Sequence, residues 1–139
     1  MGPVVSEPAL VRALAREPAV VSGYLFGSHA HNRAHRESDV DVAVLLDREM
    51  AATARARFDL RLHLAAELIA ALHCNNIDLV ILNDTPPTVA RAIVTHGRSV
   101  FCRDREADHA FVRTTLLRAA DLEPFLRRTR AVKLDALRR

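Results

Sequence analysis

The sequence contains no tryptophan, one tyrosine and two cysteines, and these scarcities limit the kind of protein it encodes. Half of its 139 residues are apolar, whereas only 4% are aromatic. The core must therefore be built from Ala, Val and Leu. Two cysteines cannot form the disulfide framework of a small secreted domain, nor do they suggest a zinc site. We therefore expect Cys74 and Cys102 to be reduced thiols in the cytoplasm.

Long apolar runs are missing as well. No stretch approaches the ~18 consecutive apolar residues that a membrane span requires. The first residues lack the basic start and apolar segment of a signal peptide. We expect a cytoplasmic protein without membrane contacts. A chain of this length forms one domain that buries about two-thirds of its unfolded surface.

Apolar runs separated by helix-breaking residues predict alternating strands and helices. Strands are predicted over 19–26, 40–46 and 77–82, with a short edge strand at 100–102. Helices are predicted over 6–17, 51–73, 87–96 and 104–139. Gly97 is expected to be a left-handed cap, and Pro124 to break or kink the last helix.

This order of elements predicts an α/β fold with a short mixed sheet. We expect helices to cover the sheet on one side. In the helix over 51–73, the spacing of Phe58, Leu62, Ala65/Ala66 and Ile69 predicts a single apolar stripe.

The most specific pattern is Gly27-Ser28 followed, after ten residues, by Asp39-Val40-Asp41. On a strand, residues i and i+2 point to one face and lie about 6.7 Å apart. Two such carboxylates repel each other unless a cation lies between them, and hard oxygen ligands suit Mg²⁺ or Mn²⁺. A Gly-Ser turn after a strand lets the backbone approach a phosphate closely. The pattern therefore predicts a site for a metal-bound nucleoside triphosphate.

Asp78 is a third candidate carboxylate, one residue inside an otherwise aliphatic strand. One interpretation is a strand-entry aspartate that faces solvent. The other is a carboxylate beside Asp39 and Asp41, which requires the strands over 40–46 and 77–82 to be neighbours. In that position Asp78 can accept a proton from an attacking hydroxyl while it also ligates a metal.

These residues resemble the signature of the minimal nucleotidyltransferases of the DNA polymerase β superfamily. Within that group the chain is similar to the antitoxin that pairs with a HEPN-domain ribonuclease toxin. The resemblance extends over most of the length. The family often carries glycine at the position of Asn32 and arginine near His29 or His31.

The resemblance implies a small polymerase β-type fold with a C-terminal helical tail. It implies catalysis by Asp39, Asp41 and Asp78, which would bind two Mg²⁺ ions, with Mn²⁺ as a substitute. Gly27, Ser28 and Ser38 would contact ATP. The expected reaction transfers AMP from ATP to a hydroxyl of the toxin and so neutralises the toxin. The expected acceptor is a tyrosine.

Two alternatives remain open at this stage. The chain could be a catalytically idle antitoxin that blocks its toxin sterically, although retention of clustered carboxylates argues against it. It could also modify a small hydroxylated compound of the aminoglycoside type, although no second substrate domain is present. His29, His31 and His35 form a possible transition-metal cluster, but a solvated loop is the simpler interpretation.

Basic residues concentrate near the C-terminus. From residue 113 onward there are eight Arg or Lys against three Asp or Glu, whereas the whole chain has a net charge of +3. Few aromatic residues accompany them, so we do not expect direct nucleic-acid binding. Apolar residues in the same segment must either pack on the sheet or form a protein interface. The resemblance to the antitoxin favours an interface with the HEPN toxin for part of the segment. We therefore divide the single domain into a nucleotidyltransferase part, 1–103, and a helical tail, 104–139, that is expected to bind this partner.

Overall fold

The computed structural model describes residues 6–27 and 39–138 of the chain, which form a four-stranded sheet and four α-helices. The elements in chain order are α1 (Glu7–Arg16), β1 (Val20–Phe26), β2 (Val40–Leu46), α2 (Ala54–Leu72), β3 (Ile77–Ile81), a 3₁₀ turn (Leu82–Asp84), α3 (Pro87–His96), β4 (Arg98–Cys102) and α4 (Arg105–Arg138). The predicted strands and helices are all present, with ends shifted by a few residues. No helix in this part of the chain has the length and apolar character to cross a membrane.

The sheet is mixed, as predicted, with the strand order β3-β2-β1-β4. Strand β1 is antiparallel to both β2 and β4, whereas β2 and β3 are parallel. Parallel neighbours need a crossover connection, and α2 supplies it. Strands β3 and β4 therefore form the two edges of the sheet.

Helices cover both faces of the sheet, so the expectation of a sheet covered on one side is wrong. One apolar cluster joins Val40, Val42 and Val44 of β2 to α1 and α2. A second cluster joins Ala43 and Leu45 of β2 to α3, and α4 adds partly buried residues to it. Since both faces of β2 are covered, nearly every residue of this strand is buried.

The predicted apolar stripe of α2 is wrong for its large residues, because a different side of this helix faces the sheet. Leu64 and Leu68 are buried in the core, whereas Phe58, Leu62 and Ile69 are exposed. Of the predicted stripe, Ala65 packs partly buried against the core. The helix carries apolar residues on two sides, so periodicity alone could not select the side that packs.

The ends of two helices differ from expectation. Gly97 ends α3 with an extended backbone (φ −77°), not a left-handed one, and a Cβ at this position would lie 2.4 Å from the carbonyl oxygen of Ile93. Glycine is therefore needed there for space. His73 ends α2 in the left-handed region at φ 50°. Helix α4 continues through Pro124 without a break.

A buried polar cluster attaches the start of α4 to the sheet. The hydroxyl groups of Ser22 and Tyr24 on β1 each donate a hydrogen bond of 2.6 Å to Oδ1 of Asp108 on α4. All three residues are buried. A buried carboxylate is costly unless it is hydrogen-bonded, so the two bonds to Asp108 favour this packing of α4 over alternatives.

Candidate active site

Two of the three predicted carboxylates, Asp41 and Asp78, lie on one face of the sheet. In the parallel pairing of β2 with β3, Asp41 is opposite Asp78, and paired residues of neighbouring strands point to the same side. Asp39 lies directly before β2, two residues ahead of Asp41, and is exposed. Neighbouring strands are about 4.8 Å apart. The requirement that the strands bearing Asp41 and Asp78 be neighbours is thus met.

Gly27 lies directly against Asp41. Strand β1 ends where Phe26 pairs with Asp41, and Gly27 follows with φ +71°. A Cβ on Gly27 would lie 2.4 Å from Oδ2 of Asp41, which is closer than a Cβ approaches a non-bonded heavy atom in protein structures. Any other residue would have to adopt a left-handed backbone and displace this carboxylate. The sequence pattern predicted a glycine here for phosphate approach, and it did not show this contact with Asp41.

The three carboxylates differ in exposure. Asp39 and Asp78 are exposed, whereas Asp41, between β1 and β3, is half-buried. The face that Asp41 and Asp78 share is the one that α3 and α4 cover further along the sheet, through Ala43 and Val80. The acids lie at the end of this face, where β2 and β3 begin. They are therefore accessible to a ligand while the apolar core remains closed.

The donor chemistry at this edge fits a hard divalent cation, but the carboxylates do not form a complete site by themselves. Within residues 6–27 and 39–138, no group of three or more His, Cys, Asp or Glu side chains is arranged to hold a metal ion. Mg²⁺ is commonly held by one or two carboxylates, with the remaining ligands from substrate phosphates and water. The arrangement is therefore suited to a cation that arrives with a triphosphate.

Other predicted residues lie outside the described ranges. Ser28 and Ser38, expected at the phosphates, belong to the segment 28–38, as do His29, His31 and His35. The roles expected for these five residues stay predictions. The described part of the site consists of Gly27, Asp39, Asp41 and Asp78.

The antiparallel β1–β2 pair, the glycine turn and the Asp-x-Asp strand together define a nucleotidyltransferase of the polymerase β type. The chain belongs to this family, since residues 9–106 match the model of "Polymerase beta, Nucleotidyltransferase". It is similar to the protein adenylyltransferase MntA of Shewanella oneidensis, with 32% identity over 91 residues. That match covers 66% of this chain and 60% of the relative, so the matched region spans less than two thirds of the relative's length.

Two solved structures extend the similarity over nearly the whole chain. A toxin–antitoxin complex with AMP-PNP contains a chain with 27% identity and a TM-score of 0.70, and the match covers 97% of this chain and 100% of that one. A complex of tri-AMPylated Shewanella oneidensis HEPN toxin with MNT antitoxin contains a chain with 26% identity and a TM-score of 0.62, and the match covers 96% of each. The second match includes the C-terminal helix.

Proposed function

We propose that this protein is an antitoxin that transfers AMP from ATP to a hydroxyl group of a HEPN toxin. The observation that carries the proposal is the convergence of Gly27, Asp41 and Asp78 at one end of the sheet. Similarity to an adenylyltransferase, and to antitoxins bound to AMP-PNP or to an AMPylated toxin, supports the choice of nucleotide and acceptor. A tyrosine as the acceptor and the cytoplasm as the compartment are parts of the same proposal.

The reaction makes one bond and breaks one. The acceptor oxygen attacks the α-phosphorus of ATP, a new P–O bond forms, and the bond to pyrophosphate breaks. Asp78 accepts the proton of the acceptor hydroxyl, as its place on the outer strand allows. Gly27 admits the triphosphate to the end of β1 because it has no side chain. Bound Mg²⁺, held by Asp39 and Asp41, would neutralise the charge of the phosphates.

We also propose that the C-terminal tail, 104–139, contributes to binding of the toxin. Along α4 the residues described as buried are Asp108, Thr115 and Ala119. The side of the helix that carries them packs against the rest of the protein. Further along, Leu122 and Phe125 are 40% and 59% exposed. A helix of 34 residues is about 51 Å long, more than the sheet can cover. Leu122 and Phe125 are therefore available to a partner.

Substitution of the carboxylates tests the enzymatic proposal. We expect the double variant Asp39→Asn, Asp41→Asn to transfer no labelled AMP from ATP to a co-purified HEPN toxin, while its thermal unfolding stays close to that of the unchanged chain. We expect Asp78→Asn to bind AMP-PNP normally and to transfer AMP about 10²- to 10⁴-fold more slowly, because proton removal is impaired.

Three outcomes separate the competing functions. Label on the toxin that depends on these aspartates supports the proposal. A stable complex that inhibits the toxin without any label supports steric blocking instead. Label that appears only on an added aminoglycoside supports a small-molecule transferase.

A further inference from the structure

Strand β3 ends before β2 does, and a side chain continues the pairing of the two strands beyond that point. The last backbone pair of the parallel ladder joins Val44 to Ile81, after which the chain enters the 3₁₀ turn Leu82–Asp84. Asn83 lies in this turn. The amide of Leu46, the last residue of β2, donates a hydrogen bond of 2.9 Å to Oδ1 of Asn83, and Nδ2 of Asn83 donates one of 2.9 Å to the carbonyl oxygen of Leu46. The side-chain amide thus takes the place of the backbone of a further strand residue.

This contact has the same register as the proposed catalytic pair. Leu46 and Asn83 are 37 residues apart in the chain, and so are Asp41 and Asp78, which are opposite each other. Every pair of the ladder between β2 and β3 has this separation. Asn83 therefore lies at the position that a continued β3 would present to Leu46, and its two bonds are lost if the strands slide along each other.

The apolar pattern by itself does not determine how far β3 lies along β2. Successive side chains of a strand alternate between the two faces, so a slide of two residues, about 6.6 Å, returns every side chain of β3 to its face. The three valines of β2 all face one apolar cluster, so they offer similar neighbours to β3 in either position. Such a slide would bring Asp78 opposite Asp39 or Ala43 instead of Asp41. A specific polar contact between the two strands distinguishes these registers.

Two other side chains bond to β3, but on its outer side. Arg61 Nε donates a hydrogen bond of 2.9 Å to the carbonyl oxygen of Leu79, and the hydroxyl of Thr85 donates one of 2.7 Å to that of Ile81. These contacts attach β3 to α2 and to the turn that follows the strand. Since neither of them reaches β2, they do not set the position of β3 along β2.

Asparagine is suited to the contact with Leu46 by both shape and chemistry. Its side-chain amide carries one acceptor and one donor group, which match the amide and the carbonyl oxygen of a strand residue. Aspartate has nearly the same shape but only acceptors when it is ionised, so it would repel the carbonyl oxygen of Leu46. Asn83 is half-buried, so water replaces a lost bond incompletely.

We infer that Asn83 is a positioning residue, which holds β3 in the register that places Asp78 opposite Asp41. The inference rests on the proposed function, in which Asp78 accepts a proton beside a nucleotide bound at Gly27 and Asp41. It adds a residue at the opposite end of the ladder on which that arrangement depends. A misplacement of about 1 Å between reacting groups can slow a reaction about 10²-fold. Loss of the contact at Asn83 moves the proton acceptor on β3 away from the nucleotide groups of β1 and β2.

An aspartate at position 83 tests the inference by kinetics. We expect Asn83→Asp to lower kcat for AMP transfer to the HEPN toxin by about 10- to 100-fold, while KM for ATP changes by less than about twofold. AMP-PNP affinity, measured by calorimetry, should be unchanged. The matched control is the reverse substitution in the same turn, Asp84→Asn, which weakens the exposed ion pair with Arg57. We expect the control to transfer AMP at the unchanged rate.

Combination with Asp78→Asn separates positioning from a general loss of structure. If Asn83 acts through Asp78, Asn83→Asp should slow a chain that already carries Asp78→Asn by less than about twofold, because the displaced carboxylate is already absent. A destabilised fold would slow both chains by the same factor. Equal factors in the two backgrounds would therefore contradict the inference.

A cross-link reports the register without any reaction. In a chain whose two native cysteines are replaced by serine, Asp41→Cys and Asp78→Cys place two thiols on opposite residues, within the Cα separation of a disulfide. We expect Asn83→Asp to slow disulfide formation in this chain by about fivefold or more, since the geometry of the bond is specific. Asp84→Asn should leave the rate unchanged. An unchanged rate in the Asn83→Asp chain as well would overturn the inference.

The outcomes separate this inference from the proposed function. If the unchanged chain labels no toxin, the proposed function is wrong, and the cross-linking rates still decide whether Asn83 holds the register. If the unchanged chain labels the toxin and Asn83→Asp labels it equally fast, the function stands and the inference fails. Should Asn83→Asp not fold, Asn83→Ala removes both bonds without adding a charge. If neither variant folds, Asn83 is needed for folding itself, and its assignment as a positioning residue is wrong.

Discussion

At the scale of single residues, Gly27 and Asp41 depend on each other. The carboxylate of Asp41 occupies the space that a side chain at position 27 would need, and the backbone of Gly27 is left-handed. A larger residue at position 27 would have to take a strained left-handed backbone and move the carboxylate of Asp41. The glycine therefore leaves this carboxylate in place.

We expect Gly27→Ala to abolish most AMP transfer, because the added methyl group displaces Asp41. The left-handed backbone should also lower the free energy of unfolding by about 1–2 kcal/mol. Transfer assays and urea denaturation of the same preparation measure the two effects. Full activity in Gly27→Ala would contradict the close contact between Gly27 and Asp41.

At the scale of elements, Tyr24 connects β1 to α4. The pKa of Tyr24 is raised above its ordinary value of 10.0, mainly because the phenol is buried and secondly because it donates a hydrogen bond to Asp108. The folded state thus retains the phenolic proton more strongly than the unfolded state does. The stabilisation is complete below pH 10.0 and is lost as the pH rises toward the higher pKa of the folded protein.

We expect Tyr24→Phe to unfold more easily at neutral pH, by about 1 kcal/mol, because one hydrogen bond to buried Asp108 is lost. When the pH is raised from about 8 to about 11, the same variant should lose less stability than the unchanged protein, since it has no phenol at position 24 to ionise. Urea denaturation at both pH values measures this difference. An equal alkaline loss in both proteins would contradict the role of Tyr24.

At the scale of the whole molecule, the exposed side chains of Leu122 and Phe125 support the proposed binding role of α4. We expect Phe125→Asp to change the free energy of unfolding by less than about 0.5 kcal/mol, because this side chain is 59% exposed. Its complex with the HEPN toxin should be weaker. Unfolding and size-exclusion chromatography with the toxin measure the two effects, and an undiminished complex would contradict a binding role for this position.

The sequence predicted the strands well and the packing of the helices less well. Strand β2 was recognisable because its run of Val, Ala and Leu has no competing helical pattern, with Asp39 directly before the strand and Asp41 at its second position. The partner of β2 and the pairing of Asp41 with Asp78 depend on the crossover, which local pattern does not encode. The orientation of α2 was predicted wrongly because two of its sides are apolar, and tertiary contacts select Leu64 and Leu68.

The parallel pairing of β2 and β3 has a consequence for the newly made chain. Asp41 and Asp78 come together only after α2 has been synthesised, folded back and docked, and such long-range pairings form late because loop closure costs entropy. A nascent chain that stops before β3 lacks one of the three acids, and a misdocked crossover separates them. The proposed cluster of catalytic acids therefore forms only in a chain that contains both β3 and a correctly docked α2 crossover.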